Sequence, residues 1–276
     1  LQQLAYFLEN LLPHFGTYQD AMHTDEKMLF HSNLSFAMNV KMISPKEVVQ
    51  ATEDYFYHNQ EKITVSQVEG FIRQILGWRE YVRMVYWNKF EKEKTSNFLA
   101  NRHSLPEVFW TGKSRMKCVA TCTQNSLDNA YAHHIQRLMV LGNYALLMET
   151  HPDEVDDWYL GVYVDAIEWV QLPNTRGMSQ FADGGIIATK PYISSANYID
   201  KMSNYCTTCT YDKKTKTEEN SCPFNSLYWY FLDKNRTKFE NNQRMKMMYA
   251  LLNKMDKNEM VKINQRANFL IENRNC

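Results

Sequence analysis

The stretch CTTCTYDKKTKTEENSC, residues 206–222, sets three thiols in a Lys- and Thr-rich segment with no apolar periodicity. Cys206 and Cys209 form a CxxC pair. Cys222 follows after twelve intervening residues and directly precedes Pro223. A CxxC brings two thiolates close enough to share one metal or cluster, and the loop carries a third round to join them. The segment is too polar for core packing to explain these thiols. A fourth ligand must come from elsewhere. Cys118 and Cys122, on one face if their segment is helical, and the terminal Cys276 are the candidates. Spacing alone leaves zinc and an iron–sulfur cluster open, with zinc the default for four thiolates.

Other residues carry different chemistry. AHHIQR, residues 132–137, holds adjacent histidines. On a helix His133 and His134 point about 100° apart, so both can reach the edge of one pocket but cannot easily ligate one metal. A histidine can donate a proton near neutral pH. The plain alternative is one buried, hydrogen-bonded ring beside an exposed one. HSNLS, His31 to Ser35, offers hydroxyls, an amide and backbone N–H groups at a probable helix start, which suits an anion and equally a cap. Arg79 and Arg83 lie one helical turn apart. Lys113, Arg115 and Lys117 form one short basic run, and Lys213, Lys214 and Lys216 another.

The chain has 276 residues, 44% of them apolar and 13% aromatic, enough for a large core. Lys plus Arg equals Asp plus Glu at 31 each, which argues against a protein coated in basic charge but not against a local basic face. Nine glycines and seven prolines are few for an all-β or loop-rich fold. No apolar run reaches membrane-spanning length, and no secretory signal is present. Six cysteines without such a signal suggest a reducing compartment. The start LQQLAYFLEN lacks Met and reads as a piece of a longer protein.

Helices must position these groups. PKEVVQATEDYFY starts with Pro45 after the capping residue Ser44. SQVEGFIRQILGWREYVRMVYW places Val68, Ile72, Ile75, Trp78 or Arg79, Val82 and Tyr86 near one face. SLDNAYAHHIQRLMVLGNYALLM reads as one long helical run through both histidines. PDEVDDWYLGVYVDAIEWV opens with an acidic first turn, and the last helix or two lie in residues 241–271. Residues 172–198 read as a long irregular loop, a feature that is usually functional. The expectation is an all-α domain over residues 1–276 with one irregular insertion.

Three stretches occur in order: FGTYQDAMHTDEKMLFHSNLS (15–35), FIRQILGWREYV (71–82) and YAHHIQRLMVLGNYALL (131–147). Together they resemble the photolyase/cryptochrome superfamily. DDWYLGVYVDAIEWVQLPNTRGMSQFADGG (156–185) and the cysteine pattern are similar to its iron–sulfur branch, the bacterial (6-4) photolyases. The resemblance runs over nearly the whole chain and corresponds to the helical FAD-binding half, without the amino-terminal α/β antenna domain. It implies a [4Fe–4S] cluster on Cys118, Cys206, Cys209 and Cys222, with Cys122 as the fallback. It implies FAD contacts from Tyr18, His31, Ser32, Asn33, Leu34, Ser35, Gln74, Arg79, Asp165 and Gln171. Gln171 departs from the Asn of most relatives, and Ile167 from an Asp common in other branches. His133 and His134 would face the lesion, with His134 the preferred acid. Trp110, Trp158 and Tyr159 would carry electrons. Arg79, Arg83 and Arg176 would bind UV-damaged DNA. The implied protein is a light-driven (6-4) DNA photolyase, a bacterial cytoplasmic monomer away from membranes. A cryptochrome-like photoreceptor is the alternative, and a zinc-stabilised helical domain without flavin needs the cysteines alone.

Overall fold

Ser44 starts the Pro45–His58 helix with a reciprocal cap: its hydroxyl accepts from the Glu47 N–H and its own N–H donates to the Glu47 carboxylate at 2.7 Å. The computed structural model describes residues 1–274, and its regular elements are helices. Among the described residues β pairing is confined to isolated bridges. Cys276 lies outside the described residues. No described helix is long and apolar enough to cross a membrane.

One continuous helical rod runs through Val65–Arg73, a wide π-helical turn at Gln74–Arg79, and Glu80–Lys94. Val68, Ile75 and Val82 are buried as their spacing predicts, but Phe71 and Val85 occupy the inward face in place of Ile72 and Tyr86. The π turn interrupts the constant period on which that expectation rests. Trp78 and Arg79 fall in this turn and face a cavity.

The long helix expected over 126–148 is broken. Lys117–Asn129 ends at Ala130, which takes a left-handed φ of 48°. Residues 131–133 are non-helical, and helix resumes at His134. Ala130 is an excellent helix former, so local propensity does not cause the break. A tertiary contact replaces the helical one: the Ala130 carbonyl accepts from the Val164 N–H at 2.9 Å. The two histidines therefore straddle a helix start instead of sharing a helix.

The acidic turn at Asp153 and Glu154 does open the Pro152–Val162 helix. The loop expected over 172–198 is partly helical. Glu168–Leu172 runs into a π-helical segment, Pro173–Ser179, and a further helix spans Ala196–Met202. The irregular part, 180–195, is held by Asp183, which accepts from the Gly185 and Ile187 N–H groups. Apolar packing forms two clusters. One gathers Leu4, Phe7, Leu12, Phe15, Val48, Phe71 and Ile75. The larger is built around Phe109, Leu141, Tyr144, Leu146, Trp158 and Phe224. The rod at 65–94 contributes Ile75 to the first and Val85 to the second.

Candidate functional site

A cavity of about 540 Å³ lies where the two apolar clusters meet. Phe15, Leu34, Met38, Phe71 and Ile75 line it from one cluster, and Ile135, Leu138, Met139, Tyr159 and Met178 from the other. Three π-helical segments, Gln74–Arg79, Gln136–Gly142 and Pro173–Ser179, each supply lining residues. Such wide turns are uncommon and gather at functional sites. Two of these segments approach closely at Gly142, where any Cβ would collide with the Ser179 hydroxyl and the Arg137 carbonyl.

The cavity's polar edge is a buried ion pair. Asp165 Oδ1 accepts from Arg137 Nη1 at 2.9 Å, and its Oδ2 accepts from the Ser35 hydroxyl at 2.5 Å. Arg137 also donates Nε–H to the Ala132 carbonyl at 2.5 Å and lies 3.8 Å from the Tyr163 ring centroid. Burial works against its charge, yet Asp165, Tyr163 and Tyr131 hold its pKa above the ordinary arginine value. The backbone at Asp165 is fixed as well: Asn39 donates Nδ2–H to its carbonyl at 2.6 Å, and Arg79 donates to Asn39 Oδ1 at 2.6 Å. Arg137 and Asn39 were not singled out in the sequence. Arg137 carried a usable signal, since it stands three residues after His134, one turn along the same helix.

His31, His133 and His134 form a second group. His133 is 0% exposed and lies against His31, ring centroids 4.4 Å apart and nearly parallel. Neither ring nitrogen of His133, nor Nε2 of His31, has a hydrogen-bond partner among the described residues. His133 is absent from the cavity lining, where a contact with substrate was expected of it, and it backs His31. His134 does line the cavity, and its exposed surface faces that space. The surrounding protein and then the Arg137 charge lower its pKa to about 4. Burial first, then His134, take His31 to about 4 as well. His133 is driven well below the ordinary value by burial and by both neighbouring histidines.

The aromatic candidates run from surface to cavity. Trp110 is 61% exposed, Trp158 is buried, and Tyr159 lines the cavity. Trp158 and Tyr159 have ring centroids 5.4 Å apart, and the Trp158 indole donates to the Phe109 carbonyl, one residue before Trp110. Tyr159 donates its hydroxyl to the Arg137 carbonyl at 2.7 Å, which ties this line to the ion pair.

Cys118, Cys206, Cys209 and Cys222 line one small cavity together with Tyr205 and Tyr211. Cys122 is not in that lining; its thiol is directed at the Tyr205 hydroxyl, 3.7 Å away. Burial and then the thiols of Cys222, Cys122, Cys206 and Cys209 push Cys118 well above the usual thiol range. The described cysteines are free thiols, and no three His, Cys, Asp or Glu side chains among the described residues are gathered as a metal-ion site. The polar loop is clamped by Lys213 on Asp200 at 2.5 Å, Lys216 on Glu259 at 2.8 Å, and Asn225 on the Lys213 and Thr215 carbonyls.

The other expected residues separate. Ser32, Asn33, Leu34, Ser35, Gln74, Arg79 and Gln171 line the main cavity. Gln171 donates to the Thr175 hydroxyl. Tyr18 is 46% exposed and stacks on Phe30 outside the cavity lining. Arg176 is 3% exposed and engaged by Asp156 at 2.7 Å and by Asp153, so it presents no surface to a DNA phosphate. Arg83 stands at the rim of a neighbouring cavity.

No family model matches the chain. Over 247 residues it is 50% identical to a protein named (6-4) photolyase from Agrobacterium fabrum, a match covering 90% of this chain and 48% of that protein. Two uncharacterized proteins of Acanthamoeba polyphaga mimivirus match shorter stretches, at 32% identity over 107 residues and 34% over 102. These cover 39% and 37% of this chain and 80% and 77% of the viral proteins. The fold is similar to the crystal structure of a bacterial class III photolyase from Agrobacterium tumefaciens. The TM-score is 0.62 at 15% identity, over 99% of this chain and 55% of that one. The helical architecture is thus that of a photolyase. Over nearly its whole length the chain is similar to the bacterial (6-4) photolyase branch of the photolyase/cryptochrome superfamily. It spans about half the length of that Agrobacterium relative.

Proposed function

We propose that this chain, as one catalytic domain, binds FAD and repairs (6-4) photoproducts in UV-damaged DNA under blue light. The carrying observation is the cavity itself. Its volume suits a cofactor, its walls are apolar and aromatic, and its edge is the buried Arg137–Asp165–Ser35 network. Half identity to a protein named (6-4) photolyase favours repair over photoreception. Bound in reduced form, the flavin would supply the excited electron donor.

The protein's own residues do the rest. The His31–Ser35 segment would hold the phosphates, and Asp165, fixed by Arg137, would accept from the N–H edge of the ring. Val82, Leu138, Met139 and Met178 would exclude water from its faces. Trp110, Trp158 and Tyr159 would carry electrons inward from the surface. His134 lines the open cavity beside the Arg137 charge, which favours its neutral form, so it would serve as an N–H donor to the lesion until DNA phosphate draws a proton onto it. Cys118, Cys206, Cys209 and Cys222 would hold a [4Fe–4S] cluster. Four thiols lining one small cavity, with Cys122 turned aside, support that ligand set, and the cluster would have to draw them closer, since they are not gathered as a metal-ion site among the described residues. A bacterial cytoplasmic monomer completes this reading.

The test starts with the absorption spectrum of purified, dark-kept protein, followed by illumination with an oligonucleotide carrying one (6-4) lesion. Flavin bands on a broad iron–sulfur shoulder, with repair abolished in His134→Ala, are expected. A colourless protein that retains zinc would overturn the assignment. Flavin photoreduction without repair would convert it to photoreception.

A further inference from the structure

A second cavity, of about 480 Å³, adjoins the first. The two share Met38, Asn39 and Arg79. Arg79 is the partition between them. It donates to Asn39 Oδ1 at 2.6 Å and to the Met38 carbonyl at 3.4 Å, and its guanidinium lies 4.8 Å from the Trp169 ring centroid. Trp169, Lys41, Arg83 and Trp87 line the far side, with Glu80 the one acidic group in the lining. Glu80 stands 3.7 Å from Arg83.

In a chain of zero net charge this lining is locally basic: Lys41, Arg79 and Arg83 outnumber Glu80 three to one. It is also aromatic. Trp87 is 71% exposed, with Tyr86 set edge-on to it at 5.2 Å. An exposed indole beside cations around a hollow of this size matches a ligand with one flat ring and one anionic group. Single-stranded nucleic acid is bound by this combination, bases on aromatic faces and phosphates on basic side chains. The wall shared with the main cavity says which nucleotide is involved, since a strand passing over Arg79 can leave one nucleotide on each side.

We propose that the second cavity holds an unpaired nucleotide of the damaged strand, its base against Trp87 and its phosphate on Arg83 and Lys41, beside a lesion seated in the main cavity. This rests on the DNA reading given above. A free mononucleotide has the same chemistry, and the experiment separates the two.

A fluorescent single-stranded oligonucleotide with one (6-4) lesion is titrated into wild type, Trp87→Ala and Arg83→Gln. Trp87→Ala is expected to weaken binding roughly tenfold, the loss of one stacked base. Arg83→Gln is expected to lower the slope of log affinity against log salt by about one phosphate contact. Flavin absorption serves as the folding control in each variant. Wild-type binding with an unchanged Trp87→Ala overturns this proposal alone, whereas a wild type that ignores the oligonucleotide overturns the repair reading with it. Thymidine monophosphate is titrated in parallel and should displace the strand only weakly. Tight, Trp87-dependent binding of the mononucleotide without competition from the oligonucleotide would assign the cavity to a small molecule and overturn the strand assignment.

Discussion

Cys118 and Cys122 stand about one turn apart on the same helix, yet one faces the thiol cavity and the other faces Tyr205. Cys118→Ser should therefore lose iron and labile sulfide, while Cys122→Ser keeps both. Iron and sulfide assays per chain decide it, and equal loss from the two variants would remove the ligand assignment. The histidines give a second prediction. Burial beside the other histidines takes the folded pKa of His31 to about 4, below the ordinary 6.5, and holds His133 well below the ordinary value. Below pH 6.5 the unfolded chain therefore takes up protons that these folded histidines refuse, so stability present above pH 6.5 is lost as pH falls towards 4. His133→Phe removes one of these depressed groups, His133 itself, with its two unpartnered ring nitrogens. Its thermal midpoint should fall less than that of wild type between pH 8 and pH 5, as followed by circular dichroism. Single residues were legible in the sequence where type alone decides, as with the thiols and the imidazoles. The Arg137–Asp165 pair was half legible. Asp165 came from the resemblance, but its partner is 28 positions away, and only the fold brings them together. Arg176 shows the converse: its charge suggested phosphate, and burial against Asp156 assigns it to the scaffold.

At the scale of the element, helices were legible where cap and period agree, as at Ser44 and Pro45. Ser44→Ala should cost about 1 kcal/mol in chemical denaturation, the ordinary worth of such a cap. What stayed hidden were departures from regular helix that tertiary contacts impose. The π turns at Gln74–Arg79, Gln136–Gly142 and Pro173–Ser179 leave no local signature, yet all three line the cavity. The break at Ala130 is hidden for the same reason, since alanine argues for continuing the helix. It is the break that sets His133 outside the helix and leaves His134 at its start. A left-handed alanine is strained where glycine is not. Ala130→Gly should accordingly stabilise the protein by about 0.5 kcal/mol, and a β-branched Ala130→Val should destabilise it by more than that. Urea midpoints of the two variants test this; a destabilised Ala130→Gly would mean that the methyl group contributes more through packing than it costs in backbone strain.

At the scale of the whole molecule, the cavity lies on the seam between two apolar clusters. Its lining is drawn from both, and around that space the two sides are joined by the rod at 65–94, by Ser35 and Asn39 on Asp165, and by His31 stacked on His133. A flat cofactor in the seam would touch Phe71 and Ile75 on one side and Leu138, Met139 and Met178 on the other. Cofactor binding is then also interdomain-like packing, and its free energy adds to the stability of the folded state by mass action. The flavin-free chain should unfold in two steps. The first should be loss of the smaller N-terminal cluster, reported by Trp78 beside Ile75; the second, loss of the larger cluster around the buried Trp158. Adding FAD should merge the steps and raise the first midpoint, by about 2.7 kcal/mol of stabilisation at a hundredfold excess over its dissociation constant. Denaturation followed by fluorescence and circular dichroism at several FAD concentrations distinguishes the cases. Coincident curves without FAD would show that the rod and the contacts at Asp165 and His133 already make the two clusters one cooperative unit, and the cofactor would then stabilise without joining them.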